Sequence, residues 1–243
     1  SARAGITTTF ERLNYFAQIS LGFRPPQINE AYRLQKKQNV TDLDSETLTM
    51  LEIGSRFEND KVNGSISIYQ SKKKNSIFRD AENFIVDDGK TDHEGVELSL
   101  NWLINSDNTI STNLTYGDHR YDFETDTSMR EKIRIGSKID TSPRIMANLI
   151  WDLNLRDGSL LSFEIEHMSS YYTDAANLHE YDGHTLYHTR FNRDLSPSLK
   201  GFLRVDNIFD KAYAERADFN AFGGDRYFPG LPREFYVGIE YTF

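Results

Sequence analysis

Histidines and carboxylates are the residues of this chain that could hold a metal ion or transfer protons. The six histidines are His93, His119, His167, His179, His184 and His188. His184 and His188 lie four residues apart, which on a strand places them on one face but about 13 Å apart, too far for one ion. Asp42, Asp44 and Glu46 match a calcium loop only loosely, because no glycine or later glutamate completes the pattern. The sequence therefore predicts no metal site.

Catalytic motifs are missing as well. The sequence has no nucleophile elbow, no phosphate-binding loop and no glycine-rich dinucleotide motif set between a strand and a helix. We therefore predict that the chain is not an enzyme and needs no cofactor.

Composition narrows the classes of partner. The 243 residues carry a formal net charge of −9 and no cysteine. An acidic chain without a basic stripe argues against nucleic acid. The sequence contains no apolar run of about 18 residues, so no transmembrane helix is predicted. The mean hydropathy of −0.61 does not separate a soluble β protein from a transmembrane barrel, because half of each barrel strand is polar.

Alternation of apolar and polar residues is the strongest pattern. In the last segment Phe235, Val237 and Ile239 fall on one face of a strand, and Glu234 and Tyr236 fall on the other. Similar alternation predicts about eleven strands, near residues 3–10, 15–24, 51–57, 62–69, 96–102, 110–116, 145–154, 161–166, 184–194, 198–208 and 235–243.

The connections alternate between short and long. Short turns are predicted near residues 11–14, 59–60, 105–108, 157–158 and 195–197, and long segments near 25–45, 72–92, 118–142, 170–183 and 209–231. In an antiparallel meander this places every long connection at one end, which is typical of outer-membrane β-barrels. A soluble sandwich or lipocalin-like barrel is the alternative, but such folds rarely keep one end all short.

A barrel predicts which residues contact lipid. We expect Leu98, Leu100, Trp102, Leu149 and Trp151 to face lipid. We expect the polar partners to face the lumen, namely Glu97, Asn101, Asn148 and Asp152. Trp102 and Trp151 each precede a short turn, where an interfacial aromatic girdle is expected.

Several segments resemble TonB-dependent outer-membrane receptors. Residues 22–32 (Gly-Phe-Arg-Pro-Pro-Gln-Ile-Asn-Glu-Ala-Tyr) are similar to that family's GFR-x-P-x-x-x-E-x-Y stretch, and residues 42–54 to the L-x-x-E…E-x-G strand that follows it. Residues 205–213, residues 229–235 and the terminal Phe243 resemble the family's C-terminal signature. Residues 94–97 and 142–144 match smaller pieces, so the resemblance covers essentially the whole chain.

The resemblance implies an architecture larger than this chain. Family members close a barrel of 22 strands around an N-terminal plug. We therefore expect residues 1–243 to be the C-terminal part of such a barrel, about eleven strands without the plug. Its partners would be the plug, the remaining strands, outer-membrane lipid and, through the N-terminal part, the TonB complex. Two open sheet edges in lipid would leave backbone groups unsatisfied.

The resemblance also implies where a ligand binds, namely at the long connections and the lumen. The arginines and tyrosines there suit anionic, aromatic iron chelates through charge-assisted hydrogen bonds and stacking. The candidate contacts are Arg24, Glu30, Tyr32, Arg33, Tyr171, Tyr172, His179, Arg216, Arg226 and Tyr227. Each could equally be an ordinary solvated residue, and we expect Lys72 to Lys74 to be a solvated or lipopolysaccharide-facing patch.

The function implied is active transport in the bacterial outer membrane, with a ferric siderophore as the commonest cargo class. Haem, vitamin and saccharide remain open, although the chain lacks the histidine that haem-uptake members carry between Phe23 and Leu51. A passive pore or a structural surface barrel is the alternative function.

Overall fold

The computed structural model describes residues 1–32, 43–79, 85–125 and 132–243. They form one short helix and fifteen strands. The elements are β1 (Ala2–Phe10), β2 (Leu13–Arg24), α1 (Ile28–Tyr32), β3 (Glu46–Glu58), β4 (Val62–Arg79), β5 (Ile85–Asn105), β6 (Asn108–Tyr121), β7 (Ile145–Asn154), β8 (Leu160–Met168), β9 (Tyr171–Tyr172), β10 (Glu180–Tyr181), β11 (His184–Ser196), β12 (Leu199–Asp206), β13 (Ala214–Asn220), β14 (Gly224–Pro229) and β15 (Glu234–Tyr241).

Eleven of these strands form one antiparallel sheet in the order β1-β2-β3-β4-β5-β6-β7-β8-β11-β12-β15. The other four strands pair as two separate hairpins, β9 with β10 and β13 with β14. The predicted meander of about eleven strands is therefore confirmed. Within the described ranges β1 pairs only with β2, and β15 pairs only with β12, so the sheet does not close.

The short turns lie where the sequence predicts them, between paired strands at one end of the sheet. Asparagine shapes two of them. The Asn59 side chain accepts the N–H of Lys61 and of Val62, each at 2.9 Å, and the Asn105 side chain accepts the N–H of Asp107 at 2.9 Å. A side-chain oxygen that accepts nearby backbone N–H groups takes the place of a backbone turn. Gly158, with φ +80°, supplies the left-handed residue of the β7–β8 turn.

At the opposite, long-connection end the strands run further than the alternation indicates. The sequence places a long connection at residues 72–92, but β4 continues to Arg79 and β5 begins at Ile85. The β4–β5 register shifts between Lys73 and Ser76 and again between Ser76 and Phe78. Each irregularity breaks the period of two, so paired strand loses its sequence signature there.

The segment after β2 is shaped by its prolines. β2 ends at Arg24, as predicted, because Pro25 and Pro26 cannot donate to a strand ladder. The helix α1 then begins, and the Glu30 carboxylate accepts the backbone N–H of Gln27 at 2.7 Å. This contact satisfies one of the free N–H groups at a helix start. None of the helices in the described ranges is long and apolar enough to cross a membrane.

One face of the sheet is an apolar surface. Cross-strand register aligns a continuous row of residues over seven strands: Ile6, Ala17, Ile53, Ile68, Val96, Tyr116 and Ile145. The residues expected to face lipid share this face, since Trp102 and Trp151 both lie opposite Ile110. Ile53 is 57% and Ile68 61% exposed, so nothing in the described part of the chain covers this face.

The other face is polar and is called the inward face below. Side chains on neighbouring strands bond across it, as Asn148 donates to Glu164 at 2.6 Å and Ser162 to Asp152 at 2.5 Å. Gln18 likewise donates to Glu52. Hydrogen-bonded polar side chains opposite an apolar face are the arrangement of a wall between lipid and water.

Buried packing is concentrated at the long-connection end. One cluster joins Tyr171, Tyr181, Ala214 and Ala217, and partly buried Met168 packs against it. A second joins Tyr121, Ile133 and Ala175, with Phe78, Phe123 and Ile139 against it. The two hairpins are therefore held to the end of the sheet by side-chain packing, which fixes the walls of the cavity described next.

Candidate functional site

A cavity of about 490 Å³ lies at the long-connection end. Its walls are the inward face of β4, β5 and β6 on one side, and the segments around the two hairpins on the other. The sheet contributes Lys73, Phe78, Thr91, His93 and Tyr121 to the lining. The other wall contributes Asp140, Asp174, Arg216, Asp218, Phe219 and Arg226. Guanidinium, carboxylate and aromatic groups thus meet in one concave space, the usual form of a small-molecule site.

Asp218 holds the two arginines of the hairpin wall. Its carboxylate lies 2.6 Å from Nε of Arg226 on the opposite strand and 2.9 Å from a terminal nitrogen of Arg216. The Asp218 side chain is only 8% exposed, whereas both arginines are more than half exposed. A guanidinium has five N–H donors, so an arginine fixed through Nε keeps its terminal amino groups for a ligand.

A second ion-pair network borders the cavity on the sheet side. Glu46, at the start of β3, is 2.5 Å from Arg24 and 2.9 Å from Lys73, and it accepts the backbone N–H of Ile77 at 2.8 Å. Arg24 also pairs with Glu30 at 2.9 Å. Two predicted residues, Arg24 and Glu30, are therefore linked through Glu46 to Lys73 in the cavity wall.

These contacts set the charge of the network. Burial alone would raise the pKa of Glu46. The hydrogen bonds from Arg24, the Ile77 N–H and Lys73 outweigh burial and hold its pKa at about 2. Hydrogen bonds to Glu46 and Glu30 raise the pKa of Arg24. Glu46 and Arg24 therefore remain ionised at neutral pH.

Aromatic rings form the apolar part of the cavity. Phe78 stacks on Tyr121 with ring centroids 5.9 Å apart, and Phe123 meets Tyr121 edge-on at 5.8 Å. The Tyr121 hydroxyl donates to Asp140 at 2.7 Å. Burial is the main reason that the pKa of Asp140 is raised. The rings give a flat surface on which an aromatic or apolar ligand can pack.

Tyr171 occupies a packing position. It is 6% exposed, and its hydroxyl accepts the N–H of Ala217 at 2.7 Å and donates to the carbonyl of Ala217 at 3.2 Å. Tyr181 makes the same pair of bonds with Ala214, at 3.0 and 3.2 Å. The two phenols therefore join β9 and β10 to β13, and they position the wall that carries Arg216.

We expect Tyr171→Phe to loosen the β13–β14 hairpin. The substitution leaves the buried N–H of Ala217 without its acceptor, which should cost about 1–3 kcal/mol. Hydrogen exchange at the Ala217 amide should then accelerate by roughly tenfold or more. Tyr227→Phe is the control, because Tyr227 is 57% exposed. Unchanged exchange at Ala217 would show that the hydroxyl does not hold the hairpin.

Of the predicted residues that the structure describes, Arg216 and Arg226 line the cavity and the others lie outside its lining. The His179 ring stacks on Phe219 at 3.7 Å, and its backbone N–H donates to Asp174 at 2.8 Å. The backbone carbonyl of Tyr172 accepts the N–H of Thr141. Tyr227 lies beside Arg226 on β14, and Tyr32 ends α1. Arg33 lies outside the described residues. Ligand contact by any of the ten predicted residues stays a prediction.

Sequence reasoning missed several residues that build the site. Asp218 and Glu46 organise the two ion-pair networks. Glu46 is the glutamate of the L-x-x-E stretch, but the sequence predicted neither residue as a site residue, and nothing in the local sequence distinguishes Asp218. The Lys72 to Lys74 run is divided by strand alternation, because Lys73 pairs with Glu46 whereas Lys72 pairs with exposed Asp92 at 3.3 Å. The expected solvated patch was therefore wrong for Lys73, and only the cross-strand register could have revealed its partner.

Comparison with known families identifies this architecture. The model of the TonB-dependent receptor-like β-barrel matches residues 1–208. The chain belongs to this family. The resemblance seen in the sequence motifs is thereby confirmed, and the open antiparallel meander is part of a TonB-dependent receptor barrel.

Solved receptors of this family share the fold. The siderophore receptor PiuA from Acinetobacter baumannii matches with a TM-score of 0.80 at 18% identity, over 98% of this chain and 35% of PiuA. The ferric yersiniabactin uptake receptor FyuA from Yersinia pestis matches with 0.79 at 17% identity, over 99% of this chain and 36% of FyuA. The ferric-catecholate import receptor Fiu from Escherichia coli K12 matches with 0.78 at 18%, over 99% of this chain and 34% of Fiu.

The chain thus spans about a third of the length of the solved receptors that it matches. At these identities the likeness concerns the fold.

Proposed function

We propose that this chain forms part of a bacterial outer-membrane receptor that binds a ferric siderophore at the long-connection end and imports it with energy from the TonB system. The cavity bounded by Arg216, Arg226 and Lys73 is the observation that carries this proposal. Membership of the TonB-dependent receptor barrel family and the names of the matching solved receptors support it. The role is transport, without catalysis.

The chemistry of the cavity favours an anionic, partly aromatic chelate. Guanidinium groups donate charge-assisted hydrogen bonds to phenolate, carboxylate or hydroxamate oxygens, and they hold planar anions with two bonds. Phe78, Tyr121 and Phe219 offer ring surface beside those donors. Buried Asp218 fixes the direction in which Arg226 points, which limits the entropy lost when ligand binds.

Ligand binding by the complete receptor tests the proposal. Purified receptor in detergent should bind one class of ferric siderophore saturably, measured by tryptophan fluorescence against ferric catecholates, ferric hydroxamates, haem and cobalamin. Uptake of radioactive iron by cells should require both the receptor and TonB. If only haem or only cobalamin bound saturably, that ligand would replace the ferric siderophore as the proposed cargo. Solute flux that is unsaturable and independent of TonB would instead establish a passive pore.

A further inference from the structure

Two histidines face each other across β5 and β6 at the edge of the cavity. His93 and His119 are direct cross-strand partners on the inward face. Their Nδ1 atoms are 3.0 Å apart, and their ring centroids are 5.0 Å apart. His93 also lines the cavity. Both imidazoles therefore present the same nitrogen to one point on the inward wall.

The separation of the two nitrogens matches that of neighbouring ligands on a transition-metal ion. Metal–imidazole bonds are about 2.0–2.1 Å long, so two nitrogens that subtend about 90–100° at a metal lie about 3 Å apart. A hydrogen bond between the rings gives a similar distance, and it leaves the same two nitrogens convergent. For chelation, the ring whose Nδ1 carries the shared proton must take the tautomer with the proton on Nε2, so that both Nδ1 atoms present a lone pair to the ion.

The surroundings of His93 orient its ring for this role. His93 Nε2 lies 2.8 Å from the hydroxyl of Thr91 two residues earlier on the same strand. When Nε2 donates to that hydroxyl, the Nδ1 of His93 carries a lone pair. A metal-binding histidine usually bonds through its other nitrogen in this way, and such a partner fixes the ring and its tautomer.

His119 is accommodated by a glycine. A Cβ atom on Gly117, two residues earlier on the same strand, would overlap the His119 ring. The ring can therefore lie back along β6 because residue 117 has no side chain. Gly117 thus affects the direction of the His119 ring but has no side chain that could bind a metal. A substitution at Gly117 therefore tests the position of the ring without removing a ligand.

We propose that His93 and His119 form a two-nitrogen binding site for a borderline divalent transition metal such as Cu²⁺, Ni²⁺ or Zn²⁺. Imidazole ligands select these ions over Mg²⁺ or Ca²⁺. Within the described ranges no group of three or more histidine, aspartate or glutamate residues could hold a metal. The ion therefore keeps open positions for water or for donor atoms of a small ligand in the cavity. The site is independent of the siderophore proposed above.

Copper binding to the complete receptor, purified without a polyhistidine tag, tests this site. Titration with Cu²⁺ should load one equivalent with micromolar or tighter affinity, and its electron paramagnetic resonance spectrum should show coupling to two imidazole nitrogens. Excess Zn²⁺ should displace the copper. We expect His93→Gln and His119→Gln each to lower the affinity by at least about a hundredfold, more than the loss of an outer partner costs.

His167→Gln is the matched control. His167 is also a strand histidine bonded to a threonine, since its Nδ1 lies 2.9 Å from the Thr185 hydroxyl, but its cross-strand partners Ala147 and Thr185 are not histidines. It should leave the affinity unchanged. Gly117→Ala keeps every donor and should still lower the affinity about tenfold by displacing the His119 ring. Wild-type receptor without a two-nitrogen copper signal, or equal affinity in all variants, would overturn the proposal.

Discussion

Arg226→Ala in the complete receptor is expected to weaken binding of the ferric siderophore by about ten- to a hundredfold. Losing one charge-assisted hydrogen bond to an anionic ligand costs about 1.5–3 kcal/mol. The substitution also leaves Asp218, whose carboxylate is 2.6 Å from the Arg226 Nε, with Arg216 as its remaining partner. An added negative charge in the cavity opposes an anionic ligand, so the effect should lie toward the upper end of this range.

Equilibrium binding measured against the identified siderophore checks this expectation. Asp157→Ala is the control, because Asp157 lies at a short turn at the other end of the sheet, where it pairs with Arg193 at 3.3 Å. A double variant that also carries Asp218→Ala separates the two contributions, since removal of the carboxylate should recover part of the loss. Equal affinity in the Arg226→Ala and Asp157→Ala receptors would remove Arg226 from the ligand site.

Glu46→Ala is expected to destabilise the sheet-side wall of the cavity by about 2–3 kcal/mol. Removing one member of a buried ion pair typically costs about 3–5 kcal/mol, and the partial exposure of Arg24 and Lys73 reduces that figure. The Glu46 side chain is 4% exposed and is the acceptor for both cations and for the Ile77 N–H. The change should therefore remove the acceptor of Lys73 and of the Ile77 N–H, and leave Arg24 with Glu30 as its carboxylate partner.

Hydrogen exchange at the Ile77 amide measures this local loss of stability. Glu46→Gln should have a smaller effect, since a glutamine oxygen can still accept the Ile77 N–H. Asp92→Ala is the control, because the Lys72–Asp92 pair is exposed and should contribute little. Equal exchange rates in the Glu46→Ala and wild-type receptors would show that the network does not hold the wall.

The same contact makes the wall sensitive to acid. The pKa of Glu46 is about 2 in the folded protein and 4.5 for an ordinary glutamate. A depressed carboxyl pKa stabilises the folded state at pH values above 4.5, and this contribution is lost as the pH falls from 4.5 to 2. Exchange at Ile77, corrected for its intrinsic pH dependence, should accelerate through that interval in the wild-type protein and much less in Glu46→Gln.

The strands were predictable because one face of each strand is apolar and the other is polar, so the residue types alternate along the sequence. Ile53, Ile68 and Val96 lie in one row across three strands, and the period of two that places them is visible in each segment alone. The bulges near Ser76 were not predictable, because an irregular register removes that period while the backbone stays paired. Strand existence therefore followed from local pattern, and strand length did not.

The site was less predictable because its contacts join residues far apart in sequence. Arg216 and Arg226, which line the cavity, were predicted as ligand contacts from residue type and from their place in a long segment. Their shared partner Asp218 depends on the register of β13 against β14, which a turn near Gly224 sets. The facing nitrogens of His93 and His119 depend on the β5–β6 register in the same way. Such pairings are properties of the folded sheet and leave no mark on either segment.

The two hairpins at the cavity differ from the sheet beneath them in how they can fail. In the described part of the chain, β9–β10 and β13–β14 pair with no strand of the eleven-stranded sheet, and two buried tyrosine hydroxyls join them to each other. Opening of these hairpins therefore breaks no rung of the main ladder, whereas movement of the β4–β5 wall would. The cavity thus has one wall fixed in the main sheet, which carries Lys73 and His93, and one wall that can open with the hairpins, which carries Arg216 and Arg226. A bound ligand would therefore lose its contacts to the arginines first.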